Sequence, residues 1–312
     1  MASPSVRRLF FAAAVAFALA GAASPALAAL RVVASTPDVA DIAAKIGGDR
    51  VSVVTIAEGS QDPHKVPVKP SFVTKLNRAD ALVVQGLYLE HAFIPALLEA
   101  ARNPDIMPGA KGYIDASLYV QPLEVPTSQN RTQGELHPLG NPHFNLDPEQ
   151  SKPMARAIAE GLERIDPAGA ASYREGLARF DALADQKIQE LARIAAPLRG
   201  VKAVSYHQDL VYLARRYGID LVGTIEVKPG IPATPGHLQE LLETMKQQKV
   251  QLVIHEISYD PGLGASLAEK TGARVATVSA MAGGLGQPGY FESIQADLEA
   301  LVTALHGEPK GD

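Results

Sequence analysis

No cysteine occurs among the 312 residues, so no disulfide staples this chain, no thiolate can hold a metal, and no thioether can carry a lipid. Beyond the first 29 residues no stretch reaches the roughly 18 consecutive apolar residues that suggest a membrane span. Basic clusters with interleaved aromatics are missing too, and the formal net charge is -5, which argues against nucleic acid as a partner. The zinc-hydrolase pattern His-Glu-x-x-His is absent. A transition metal bound here must therefore be held by imidazole, carboxylate or water.

Residues 1–28 read as an export signal. Arg7 and Arg8 supply a basic start, residues 9–20 an apolar stretch too short and alanine-rich to span a bilayer, and Ala26-Leu27-Ala28 the small-residue cleavage pattern. The expectation is a mature chain from Ala29, a monomer free in the periplasm with no stable membrane anchor. About 280 mature residues exceed one ordinary core and suggest two domains. The division expected is an N-terminal lobe over 29–168, a connecting helix over 169–197 and a C-terminal lobe over 198–312.

Strand and helix patterns alternate in the first half. Residues 31–37 and 51–57 read as strands around a helix over 39–46, and 81–86 as a buried strand before a helix over 91–102. This is a βαβ rhythm, which implies a parallel sheet. Residues 134–147, rich in Gly, Pro and His, read as a loop carrying a short strand, followed by a helix over 153–165. Residues 170–195 form one long helical pattern, interrupted only by Gly176 and placed to connect two lobes. A second βα series follows, with strands at 201–206, 220–225, 251–257 and 274–278 and helices at 210–217, 235–248, 262–271 and 290–306.

Three widely spaced histidines, each placed after an expected strand, stand out: His64 in Asp62-Pro63-His64, His143 in Asn141-Pro142-His143, and His207 in Ser205-Tyr206-His207. Imidazole suits zinc and its neighbours, and loops at strand ends are where an α/β scaffold gathers side chains. The repeated polar-Pro-His pattern stiffens the backbone and lowers the entropy lost in aiming the ring. Asp62, Asp147 and Asp209 are candidate acceptors for the second ring N–H, against turn or cap duty as the alternative. His137 shares a loop with His143 and could capture metal transiently. His255 on an apolar strand reads as a satisfied buried histidine, while His91, His237 and His306 read as exposed. Glu256 could complete a tetrahedral site but is read as bonded to loop backbone, and Glu226 as fixing an interlobe loop.

With these residues placed, the chain resembles the zinc and manganese solute-binding proteins of ABC importers. The likeness runs from Asp62-Pro63-His64 and Lys69-Pro70-Ser71 through Leu89-Glu90, Asn141-Pro142-His143 and Asp147-Pro148. It continues to Tyr206-His207, Tyr212-Leu213-Ala214, Glu256 and the segment from Ala268 to Ala273. The resemblance implies two similar α/β lobes, each a mostly parallel sheet flanked by helices, joined by one long rigid helix. It also implies a metal held between the lobes and passed to an ABC permease. His64 and His143 match the family's first two ligands, and His207 matches the third in its zinc-type form. The family's fourth ligand, commonly an Asp, falls at Ser279, so the fourth position is left open among Ser279, Glu256 and water.

The function expected is periplasmic capture of Zn(II) for import, without catalysis. Mn(II) or iron as cargo, a periplasmic metal chaperone, and a zinc hydrolase using Glu256 as general base are the alternatives.

Overall fold

The computed structural model describes residues 29–126, 137–228 and 230–307; the expected export signal over 1–28 lies outside them. The first half runs β1 (Leu30–Ala34), α1 (Pro37–Gly47), β2 (Val51–Thr55), α2 (Pro70–Asn77), β3 (Ala81–Val84), α3 (Ile94–Ala101), β4 (Tyr113–Asp115) and α4 (Ser151–Ile165). The helix α5 (Ala170–Ile194) follows. The second half runs β5 (Lys202–Ser205), α6 (Val211–Tyr217), β6 (Asp220–Thr224), α7 (Pro235–Gln248), β7 (Leu252–Glu256), α8 (Gly262–Thr271), β8 (Arg274–Val278) and α9 (Tyr290–His306).

The strands make two parallel sheets of four, ordered β2-β1-β3-β4 and β6-β5-β7-β8, so the second repeats the topology of the first. Helices cover the sheet faces, which is why β3 and β7 are buried at every residue and read as apolar runs rather than alternating patterns. In each sheet the chain leaves the first strand toward one side and the third toward the other. That reversal opens a crevice beyond the carboxyl ends of the strands.

Most expected elements are present, and those over 235–248, 262–271, 274–278 and 290–306 have the expected bounds. The short strand expected in 134–147 is absent from the described residues 137–147, where Phe144–Leu146 forms a 3-10 turn instead. Pro138 and Pro142 each remove a ladder donor from that stretch. His143 therefore does not follow a strand directly. Two elements not expected from sequence, α2 and β4, are short (8 and 3 residues) and carry little periodicity.

The long helix α5 binds the halves together. Its Phe180, Ala184 and Leu191 join one continuous apolar core with Ile42 and Ile46 of α1, Ile158 of α4, and Phe291 and Leu298 of α9. The Phe180 and Phe291 rings stack at 5.8 Å. Gly176, the one glycine inside α5, sits where a Cβ would come 2.0 Å from the Ile46 carbonyl oxygen. The helix gives up about 1 kcal/mol of propensity there so that the two backbones can touch.

Polar contacts fix the two sheets' loops to each other. Asn145 donates to the Ala280 carbonyl at 2.9 Å, Tyr290 Oη donates to the Asn145 carbonyl at 2.7 Å, and Ala282 N donates to Asp38. Two residues beyond Asn145, Asp147 accepts a fork from Arg216 on both oxygens at 2.6 and 2.9 Å. Burial raises the Asp38 carboxyl to about 6 despite the hydrogen bonds it accepts from Ala282 and Asn145.

Candidate metal centre

The two polar-Pro-His segments build the same local device. Asp62 Oδ1 accepts from His64 N at 2.9 Å, and Asn141 Oδ1 accepts from His143 N at 3.0 Å. Each side chain closes a turn on its own backbone two residues on, with the proline between them fixing φ. Asp62 Oδ1 also lies 3.0 Å from His64 Nδ1, which places the proton on Nδ1 and leaves Nε2 as a bare lone pair. Burial pushes the Asp62 carboxyl up, but the His64 hydrogen bond and charge, with Lys65 Nζ 2.9 Å from Oδ2, hold it below the usual carboxylate range. Asn141 is tied across the cleft as well, donating to the Gln208 carbonyl at 2.8 Å.

His207 is set by strand register. Ser205 of β5 pairs with Thr224 of β6 and with Ile254 of β7. Two residues further along, position 207 therefore lies between positions 226 and 256. Glu226 Oε2 lies 2.7 Å from His207 Nδ1, and Glu256 Oε1 accepts from His207 N at 3.5 Å. Glu226 thus orients the ring, a role for which Asp209 was one candidate from sequence, with cap duty as its alternative; its Oε2 also accepts from Gly230 N, which holds the following loop. Burial opposes the His207 imidazolium, yet the Glu226 hydrogen bond and then the Asp209 charge raise it above its ordinary value. Glu256 is fully buried, and burial, followed by the charge of Asp209, drives its carboxyl well above the carboxylate range.

The rings converge. His64 lies 5.0 Å from His143 and 5.2 Å from His207 by ring centroid, and His143 lies 5.5 Å from His207. A fourth imidazole joins them. His137 lies 5.0 Å from His64 by ring centroid, with the two Nε2 atoms 3.1 Å apart. Among the described residues, the group whose ligand atoms all fall within 4.8 Å of one another is His64, His137 and His143. His143 Nε2 and His137 Nδ1 are buried without a partner. Burial, then the neighbouring imidazoles, lowers His143 well below its ordinary value and His137 to about 3. Such rings stay neutral, with lone pairs available to a cation.

The remaining candidates are engaged elsewhere. Ser279 is buried and its hydroxyl closes a turn, donating to the Met281 carbonyl at 2.5 Å and accepting from Met281 N at 3.3 Å. Asp147 serves Arg216 and caps the turn at Glu149 rather than supporting His143. His255 is buried with Nε2 bonded to the Tyr259 carbonyl at 2.8 Å, and its Nδ1 has no partner. His306 is exposed, whereas His91 and His237 are half-buried, the latter through Nε2 on the Thr224 carbonyl. Sequence alone marks Glu226 as a loop-fixing carboxylate but not as the partner of His207, because that link exists only once β5 and β6 are paired.

Known proteins resemble this architecture closely. Residues 32–304 match the family described as zinc-uptake complex component A, periplasmic. The manganese ABC transporter substrate-binding lipoprotein PsaA of Streptococcus pneumoniae is 26% identical over 291 residues, covering 89% of each chain. The metal ABC transporter substrate-binding lipoprotein FimA of Streptococcus parasanguinis is 25% identical over 299 residues, covering 91% of this chain and 92% of its own. A crystal structure of ZnuA superposes with a TM-score of 0.75 at 27% identity, over 89% of this chain and 100% of that one.

Proposed function

Since the chain belongs to the periplasmic component A family of zinc-uptake complexes, and so is the substrate-binding component of a metal ABC transporter, we propose that its cargo is Zn(II), bound by His64, His143 and His207. The observation that carries this reading is the convergence of three imidazoles within 5.5 Å by ring centroid, two of them aimed by carboxylates. Neutral imidazole favours zinc and its neighbours, whereas manganese prefers oxygen donors. The carboxylates here stand behind the rings and work as hydrogen-bond acceptors. PsaA is named for manganese; the nitrogen donors of this chain are our reason for assigning zinc instead.

Delivery to an ABC permease follows from the role, and the periplasm is the compartment we assign. PsaA and FimA are named lipoproteins, whereas this sequence has no cysteine to accept a lipid, so we read the protein as freely diffusing. We assign it no catalytic role: burial raises the Glu256 carboxyl well above the carboxylate range, so it holds its proton rather than acting as a general base.

The test is metal titration of the chelator-stripped protein. One zinc should bind per chain, with manganese at least about 100-fold weaker given the nitrogen donors. Ala at position 64, 143 or 207 should sharply reduce zinc affinity. Tighter binding of manganese than zinc, or full zinc affinity in a His143→Ala variant, would overturn the assignment.

A further inference from the structure

We propose that His137 is the fourth inner ligand, so that the cargo site is a closed set of four imidazoles; this rests on the three-histidine reading above. The family position for a fourth ligand falls at Ser279, whose hydroxyl is committed to a turn with Met281 in both directions. Glu256 Oε1 accepts from His207 N, and this carboxylate is not in the group whose ligand atoms fall within 4.8 Å of one another. His137 instead presents its Nε2 to the site, 3.1 Å from His64 Nε2.

That separation is informative. Two nitrogens on a tetrahedral zinc at about 2.0–2.1 Å stand roughly 3.3 Å apart, close to the 3.1 Å between these atoms. Asp62 holds the His64 proton on Nδ1, so His64 Nε2 is an acceptor. A ring facing it across 3.1 Å contributes either a proton or a shared cation. With a proton there, His137 Nε2–H donates to His64; with a metal there, His137 takes its other neutral tautomer, the proton standing on Nδ1, and both Nε2 lone pairs turn to the ion. His143 Nε2, buried and without a partner, lies within the same 4.8 Å group.

An inner set of four nitrogens has consequences for selectivity. It contains no oxygen donor, so Mn(II) gains little from it, while Zn(II), Co(II), Ni(II) and Cu(II) are its natural occupants. It also leaves no open position for water, which separates a carrier from a catalytic zinc site. In this chain His137 supplies a fourth donor where Ser279 does not.

The experiment uses Zn(II) and Co(II) as probes on the full protein and on His137→Ala and His137→Gln variants. The Gln variant retains a hydrogen-bonding group beside His64 but is a poor zinc ligand. Both variants should still bind one zinc, with affinity lower by at least about tenfold, the scale produced by losing even an outer partner of a ligand. The Co(II) absorption bands should shift as an oxygen replaces a nitrogen. X-ray absorption of the zinc-loaded unaltered protein, which needs no variant to fold, should count four imidazoles. Three imidazoles and an oxygen there, or unchanged zinc affinity and Co(II) bands in both variants, would overturn the role of His137 while leaving the three-histidine site intact. Undiminished zinc binding in His64→Ala and His143→Ala would sink both.

Discussion

Replacing Glu226 separates the charge behind His207 from the hydrogen bond itself. One oxygen, Oε2, faces both His207 Nδ1 at 2.7 Å and Gly230 N at 3.3 Å. In Glu226→Gln the amide oxygen can occupy that place and keep both bonds, so only the charge is lost. A charge-assisted bond is about twice as strong as a neutral one, whose net worth is about 1 kcal/mol, so zinc affinity should fall about fivefold to tenfold. In Glu226→Ala the acceptor disappears, the imidazole loses its fixed tautomer, and two donors are stranded in a site where His207 is only 2% exposed. Affinity should then fall on the order of 100-fold, or about 2.7 kcal/mol. Competition against a chromophoric chelator measures both variants, and urea unfolding without metal reports the structural cost separately. Equal zinc affinity in the unaltered protein and a folded Glu226→Ala variant would refute the claim that this carboxylate aims His207 at the metal.

Two further outcomes test the scaffold. Gly176→Ala should gain about 1 kcal/mol in helix propensity but force a methyl to 2.0 Å from the Ile46 carbonyl; overpacking should win, with a net loss of roughly 1–3 kcal/mol in urea unfolding. A stabilised variant would show that α5 and α1 are free to separate there. Glu90 is raised to about 7 by burial, against hydrogen bonds from Ser35, Gln85 and Gly86. Between its ordinary value and about 7 the folded protein holds a proton there that the unfolded chain does not, so this contribution falls as pH rises, by up to about 1.4 kcal/mol per unit. Relative to Glu90→Gln, the unaltered protein should therefore gain stability as pH is lowered from 8 to 5.5. Parallel stability curves for the two proteins across that range would contradict it.

Local pattern carried much of the architecture. Apolar runs at β3 and β7 announced buried parallel strands, and the helices expected over 235–248, 262–271 and 290–306 have those bounds in the structure. The paired Asp62-Pro63-His64 and Asn141-Pro142-His143 segments were legible for the same reason: a turn closed two residues away is a local event. The strand expected in 134–147 failed because composition alone was asked to specify pairing, and two prolines in 137–147 removed the donors.

The sequence by itself determined the donor chemistry: without cysteine, a metal here meets imidazole and oxygen, and three histidines in strand-end loops are the natural candidates. Tertiary structure decided which groups stand together. Glu226 and Glu256 flank His207 because β5 pairs with β6 on one side and β7 on the other. His137 lies against His64 across 73 positions of chain. The physical reason is range. Turns and periodicity are set by neighbours a few residues apart, whereas strand order and the meeting of distant loops follow from burial of the whole core around α5, which no short window of sequence contains.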